Sequence, residues 1–245
     1  MSTSAFATSY QSFSEFSYIN NDATDGFQFE TEYFVAPQGM IGVLDQFGYL
    51  NTDSNFGLSI DTLYDETTWV VGGEYFLPNN IFVMGSFAKS GDSDANLIGV
   101  GYLVNDDLKA GIYREDSDYI DSSIHAFVSY NHQINDVDFI AGTIDIDDEL
   151  DTIQLDGEYF AKLGNDRFIR VFASHINGDN WNASSLEAHY YLNQAISVGA
   201  GISDTTDEDA SLNVSGKMYF DTNFAAKIAY SEEMSEWSFS VVGQF

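Results

Sequence analysis

The sequence predicts an all-β chain folded as a transmembrane antiparallel β-barrel of about sixteen strands. Three observations carry that prediction: strict period-two alternation in one segment after another, an aromatic residue recurring at a fixed phase of the repeat, and a strand-favouring composition. Of 245 residues, 16% are aromatic, with 20 Phe and 15 Tyr; Gly is plentiful at 20 and Pro nearly absent at 2. Such a mixture disfavours helices and suits strands. No stretch approaches the roughly 18–20 consecutive apolar residues of a helical span, whereas a barrel strand needs only about 9–11 residues of alternating character.

Taken from the start, Met1 to Ser12 has no basic or apolar leader character. A signal peptide is therefore expected to be absent from this sequence, with residues 1–12 forming an N-terminal extension to a single domain over 1–245. The first clear alternation sets Phe27, Phe29, Thr31, Tyr33 and Val35 against Gln28, Glu30 and Glu32. Later ones set Ile153, Leu155, Gly157 and Tyr159 against Gln154, Asp156 and Glu158, and Leu186, Ala188, Tyr190 and Leu192 against Glu187, His189 and Tyr191. Leu212, Val214, Gly216, Met218 and Phe220 oppose Asn213, Ser215, Lys217 and Tyr219. Two faces with two solvents are the reading of period two.

The aromatic marks decide between a soluble core and a bilayer, because girdles of aromatics flank the apolar band of a membrane barrel. Tyr33, Tyr75, Tyr102, Tyr130, Tyr159, Tyr190, Phe220 and Phe245 each precede a short turn, and their successive differences are 42, 27, 28, 29, 31, 30 and 25. A unit of about 28 residues is one hairpin with its two connections. Eight units give sixteen strands, with fourteen as the alternative. The gap of 42 is assigned to an irregular insertion over residues 38–52, since an odd strand would put the chain ends on opposite sides. Pro78-Asn79-Asn80, Asn105-Asp106-Asp107 and Asp221-Thr222-Asn223 suit short periplasmic turns. The acidic stretches 90–94, 115–123, 145–151, 177–182 and 204–209 are expected to be longer extracellular loops.

The final alternation, Trp237, Phe239, Val241, Gly243 and Phe245 against Ser238, Ser240, Val242 and Gln244, resembles the carboxy-terminal signal of bacterial outer-membrane proteins. That resemblance implies recognition by the barrel-insertion machinery. FQFETEYFVAP (27–37) and WVVGGEYFLPNN (69–80) are similar to stretches of the general porins of marine gamma-proteobacteria. It implies a Gram-negative outer-membrane location and passive transport of small hydrophilic solutes, in contact with lipid and lipopolysaccharide. The chain departs from trimeric general porins in having no loop after strand 5 long enough to fold inward, so residues 38–52 or 1–12 are the candidates for narrowing the lumen. A homo-oligomer is compatible with the apolar outer face.

If the aromatic face meets lipid, the alternate residues line a pore: Glu30, Glu32, Asp61, Glu74, Asp138, Asp156, Glu158 and Glu187, with the basic Lys109, Arg170, Lys217 and Lys227. Their balance predicts weak cation selectivity. A turn near Thr222 places Lys217 opposite Lys227, where the pair either meets lumen carboxylates, holds an anionic group of a solute, or is simply hydrated. A plugged barrel acting as scaffold or receptor is the competing reading.

Other functions are disfavoured. Eight basic residues against 39 acidic ones give a net charge of −31, which excludes gripping a nucleic-acid backbone. With no Cys, thiolate sites and disulfides are absent. His125, His132, His175 and His189 show no metal-ligand spacing, and His125 and His189 read as isolated lumen residues. No nucleophile elbow occurs, so no enzyme and no cofactor is expected. The acidic runs Asp145–Asp151 and Asp204–Asp209 lack the glycine and spacing of an EF-hand loop and read as solvated.

Overall fold

The structure is a computed structural model that describes residues 9–21, 24–63, 66–118, 122–206, 208–233 and 235–245. Sixteen antiparallel strands close into one barrel, each bonded to its sequence neighbours, with the first bonded to the last. In chain order they are β1 Ser9–Asn20, β2 Asp25–Gly39, β3 Asn55–Leu63, β4 Glu66–Phe76, β5 Ile81–Ser90, β6 Ser93–Asn105, β7 Leu108–Ser117 and β8 Ser123–Gln133. The second half comprises β9 Phe139–Asp147, β10 Ile153–Gly164, β11 Arg167–Asn177, β12 Asn182–Asn193, β13 Ile196–Thr205, β14 Ser211–Tyr219, β15 Phe224–Ser231 and β16 Glu236–Gln244. Closure removes every sheet edge, so the backbone groups of each strand are satisfied inside the barrel wall.

The even strand number puts both chain ends at one rim, here the terminal rim; the other is the distal rim. The seam is tied at the terminal rim, where the Gln11 and Ser12 amides donate to the Phe245 carbonyl (2.6 and 2.8 Å) and the Phe245 amide donates to the Ser12 carbonyl (2.8 Å). Of the twelve residues expected as an extension, 1–8 lie outside the described residues, and β1 already begins at Ser9.

Alternation in the sequence becomes two faces of the wall. Outward residues are exposed and apolar, as Ile98 (69%), Val83 (45%) and Val241 (59%) show, while the intervening Phe82 is fully buried inside. The aromatic marks all fall on the outward face toward the terminal rim, and all but Tyr190 are exposed. A second outward aromatic belt lies toward the distal rim: Phe16 stacks on Phe27, Trp69 meets Phe87 at 5.3 Å, and Tyr230 meets Trp237 at 4.9 Å.

The expected long acidic loops are corrected. Strands run into them: β9 extends to Asp147, β5 and β6 are joined by Gly91 and Asp92 alone, and the distal connections described are no longer than 118–122 or 148–152. Their acidic side chains are partly structural. Asp118 Oδ2 accepts the Asp94 amide (3.0 Å), Asp148 Oδ1 accepts the Ile124 amide (3.1 Å), and Asp147 takes the amides of Asp151 and Thr152 (2.9 and 3.0 Å). Each carboxylate satisfies a donor that the ladder leaves unpaired. Asp207, in the last acidic run, lies outside the described residues.

The long connection is on the terminal rim instead. Residues 40–54, between β2 and β3, form no strand and fold into the lumen. Gln38 and Gly39, which the sequence pattern placed in the insertion, belong to β2.

Candidate pore and its constriction

The lumen wall is built from the inward residue of each pair. Register fixes this: Glu30 pairs Ser59, Asp61 pairs Gln28, Glu74 pairs Asn55, Lys109 pairs Ser129, Glu158 pairs Ala141, Arg170 pairs His189, and Lys217 pairs Lys227. Glu32, Asp156 and Glu187 share the same face of their strands. Asp138 does not. It sits in the turn before β9, where its carboxylate accepts the Asn135 side-chain amide (2.7 Å) and the Lys162 backbone amide (2.7 Å), capping the neighbouring strand. The run of polar residues around it hid the turn boundary.

Residues 40–54 cross the lumen at the terminal rim. Val43 is fully buried against Phe139, Phe160, Phe168 and Tyr191, with Ile41, Tyr49 and Val137 at its margin. Leu44 packs on Tyr219 and Ala225, and its amide donates to the Gln194 carbonyl (3.1 Å). Phe47 meets Phe13 at 4.7 Å and Tyr10 at 6.3 Å on β1. Burial raises the Tyr49 phenol above its ordinary pKa, so it stays protonated and shares a hydrogen bond with the Thr143 hydroxyl (2.9 Å). Gln244 at the end of β16 holds the segment from the other side, donating to the Leu44 carbonyl (3.1 Å).

The wall receives this segment on inward aromatics, Phe13, Phe139, Phe160 and Phe168, which sit on the phase that the alternation assigns to polar residues or lie where no alternation was assigned. The only sequence signal was an aromatic on the polar phase near a strand end.

Every lumen cation named from the sequence has a carboxylate partner. Lys109 donates to both Glu74 oxygens (2.6 and 2.7 Å) and lies 4.5 Å over the Phe82 ring. Arg170 makes a two-pronged pair with Glu158 (3.0 and 2.9 Å), whose first oxygen also accepts the Gln46 amide (3.0 Å). Lys217 meets Asp45 at 2.5 Å and Lys227 meets Glu15 at 3.1 Å. The facing ammonium groups are thus neither hydrated bystanders nor unopposed; each has its own anion, which offsets their repulsion. Asp45 and Glu15 were absent from the sequence-predicted lining, Asp45 because it lies in the insertion and Glu15 because β1 begins earlier than the alternation suggests.

Two histidines expected to be isolated are bonded. His189 meets Glu187 at 2.7 Å. His125 links Ser123 Oγ (2.9 Å) to Asp145 Oδ1 (2.8 Å) and stacks on Tyr113 with ring centres 4.7 Å apart. These contacts staple β7, β8 and β9 together near the distal mouth.

Along the opposite wall the lumen is open. A cavity of about 490 Å³ runs over β1–β4 and is lined by Phe13, Glu15, Glu30, Glu32, Ser59 and Val70, with Gly57 and Gly72 facing it without side chains. Among the described residues no ion pair reaches Glu30, Glu32, Asp61 or Asp156.

A closed, sixteen-strand wall with an apolar outer band and a polar, charged interior is the geometry of a transmembrane β-barrel. Over residues 1–241 the chain matches the family described as "Putative general bacterial porin". The chain belongs to this family of porins. Solved structures of similar fold include the Acinetobacter baumannii outer membrane protein Omp33, with 15% identity, a TM-score of 0.62, and coverage of 98% of this chain and 99% of that one. A triple mutant of the Rhodopseudomonas blastica porin is also similar, with 10% identity, a TM-score of 0.54, and coverage of 96% and 99%. At these identities the likeness is one of fold. No curated protein sequence matches the chain. The porin is thus a transmembrane β-barrel channel of the bacterial outer membrane.

Proposed function

We propose that this porin passes small hydrophilic solutes and ions by passive diffusion with a weak preference for cations. The observation that carries the reading is the division of charge inside the lumen. The cations Lys109, Arg170, Lys217 and Lys227 are each neutralised, while Glu30 and Glu32 line the open cavity, and Asp61 lies opposite Gln28 on the same β2–β3 wall, all three without a basic partner among the described residues. Unpaired carboxylates beside a water-filled path give it a negative potential and favour cations. Conductance of the detergent-folded protein in a planar bilayer under a KCl gradient tests this. Steady open channels with a cation-favouring reversal potential are expected; an anion-favouring potential overturns the selectivity.

The 40–54 segment favours a second reading, a plugged barrel serving as scaffold or receptor, because it reaches across the lumen from β1 to the β9–β12 wall through packed side chains. A folded barrel that stays silent in the same bilayer supports it. In either reading the outward apolar band sits in lipid, lipopolysaccharide surrounds the acidic distal rim outside the cell, and the Trp237–Phe245 alternation is presented to the insertion machinery. Homo-oligomers would pair through the same apolar band.

A further inference from the structure

Three of the eight basic residues of this acidic chain, Arg170, Lys217 and Lys227, converge with His189 on one lumen pocket of about 330 Å³. Gathering cations on one wall is costly unless anions answer them. The answers come from different places. Glu158 and Glu15 are fixed on the strands β10 and β1, and Glu187, the other carboxylate of the pocket wall, is bound to His189. Lys217 alone is answered from off the wall, by Asp45 on the irregular 40–54 segment.

Asp45 enters the pocket as a tethered carboxylate. Its side chain is 14% exposed, it meets the Lys217 ammonium at 2.5 Å, and the phenols of Tyr191 and Tyr219 stand beside it. Cation, phenols and a half-closed cavity are what a site for a free carboxylate requires. The next residue, Gln46, donates its side-chain amide to Glu158 (3.0 Å), but its side-chain oxygen is buried with no partner among the described residues, a cost that offsets part of what that bond contributes to holding the tip.

We propose that the pocket of Arg170, His189, Lys217 and Lys227 is a binding subsite for small carboxylate solutes, occupied at rest by Asp45, whose displacement frees the tip of the 40–54 segment from the wall. The inference rests on the channel reading for its use, but the site itself stands on the ion pair and the pocket. A tethered group competes at an effective concentration on the order of millimolar. Free carboxylates therefore displace Asp45 only at comparable concentrations, and removing its charge raises the apparent affinity about tenfold or more.

The test uses succinate and the full chain, folded in detergent, titrated calorimetrically at constant ionic strength. Asp45→Asn is expected to bind succinate at least about tenfold more tightly than the wild type, and adding Lys217→Gln to it is expected to abolish the gain. No gain in Asp45→Asn, or a gain that survives Lys217→Gln, overturns the proposal. A second measurement needs no variant. Hydrogen exchange at the Leu44 and Gln46 amides, bonded at rest to the Gln194 and Val43 carbonyls, is expected to speed up when succinate is added to the wild type. Exchange that is unchanged or slowed overturns it. Neither readout depends on conduction, so a silent barrel that binds succinate in this way would sink the channel reading and leave the site standing, while a conducting barrel that does not would do the reverse.

Discussion

Gly42 shows how one residue lets the lumen segment turn. Its φ is +74°, and a Cβ there would come within 2.8 Å of the Phe168 ring and 3.1 Å of Val137. Left-handed backbone and close approach both demand glycine. Gly42→Ala is expected to loosen residues 40–54 by about 1–3 kcal/mol while the wall stays intact, read as faster amide exchange in the segment with unchanged far-ultraviolet circular dichroism. Glu158 is a second single point of dependence, because its 5% exposed side chain takes the Arg170 guanidinium and the Gln46 amide together. Glu158→Gln leaves a guanidinium without its anion and is expected to lower the barrel's unfolding free energy by about 1–3 kcal/mol in urea titration of the detergent-folded protein. Most wall residues were legible at this scale, since period two assigns a face to each. Asp138 was not, because parity has no meaning inside a turn.

At the scale of elements, β16 closes the barrel and carries the alternation most plainly. Its outward Trp237, Phe239 and Val241 are exposed, while inward Gln244 is almost fully buried, with its side-chain oxygen accepting from the Tyr219 hydroxyl (3.2 Å) and its amide donating to the Thr222 carbonyl (2.9 Å). Deleting Phe245 removes the three backbone bonds it makes across the seam to Gln11 and Ser12. At about 0.5–1.5 kcal/mol each, this is expected to lower the temperature at which the folded band is lost in heat-modifiability gels, and to slow folding into vesicles. Strand number was readable because each hairpin repeats an outward aromatic at nearly constant spacing. The distal connections are shorter than their sequence suggests, because acidic, turn-forming residues at strand ends read as loop while several of them cap the neighbouring strand's amides.

For the whole molecule, the net charge of −31 is divided between rim carboxylates that cap backbone, wall carboxylates that answer lumen cations, and the free carboxylates of the β2–β3 wall. Replacing Glu30, Glu32 and Asp61 with Gln, Gln and Asn is expected to abolish most of the cation preference in reversal-potential measurements. That preference should also fade in the wild type as KCl rises, because the screening length shrinks from about 10 Å at 0.1 M to about 3 Å at 1 M. A preference that persists undiminished at high salt would place its origin elsewhere, in the narrowest contacts of the 40–54 segment. By itself the sequence determined the class of fold, the strand number and two distinct faces for the strands whose alternation is plain, since all of these follow from a local period and from composition. Only the tertiary structure decided what fills the lumen. Which cation each carboxylate answers, which aromatics turn inward to receive Val43, and the reach of Asp45 to Lys217 depend on bringing together residues far apart in the chain, and that is set by closure of the barrel rather than by any local pattern.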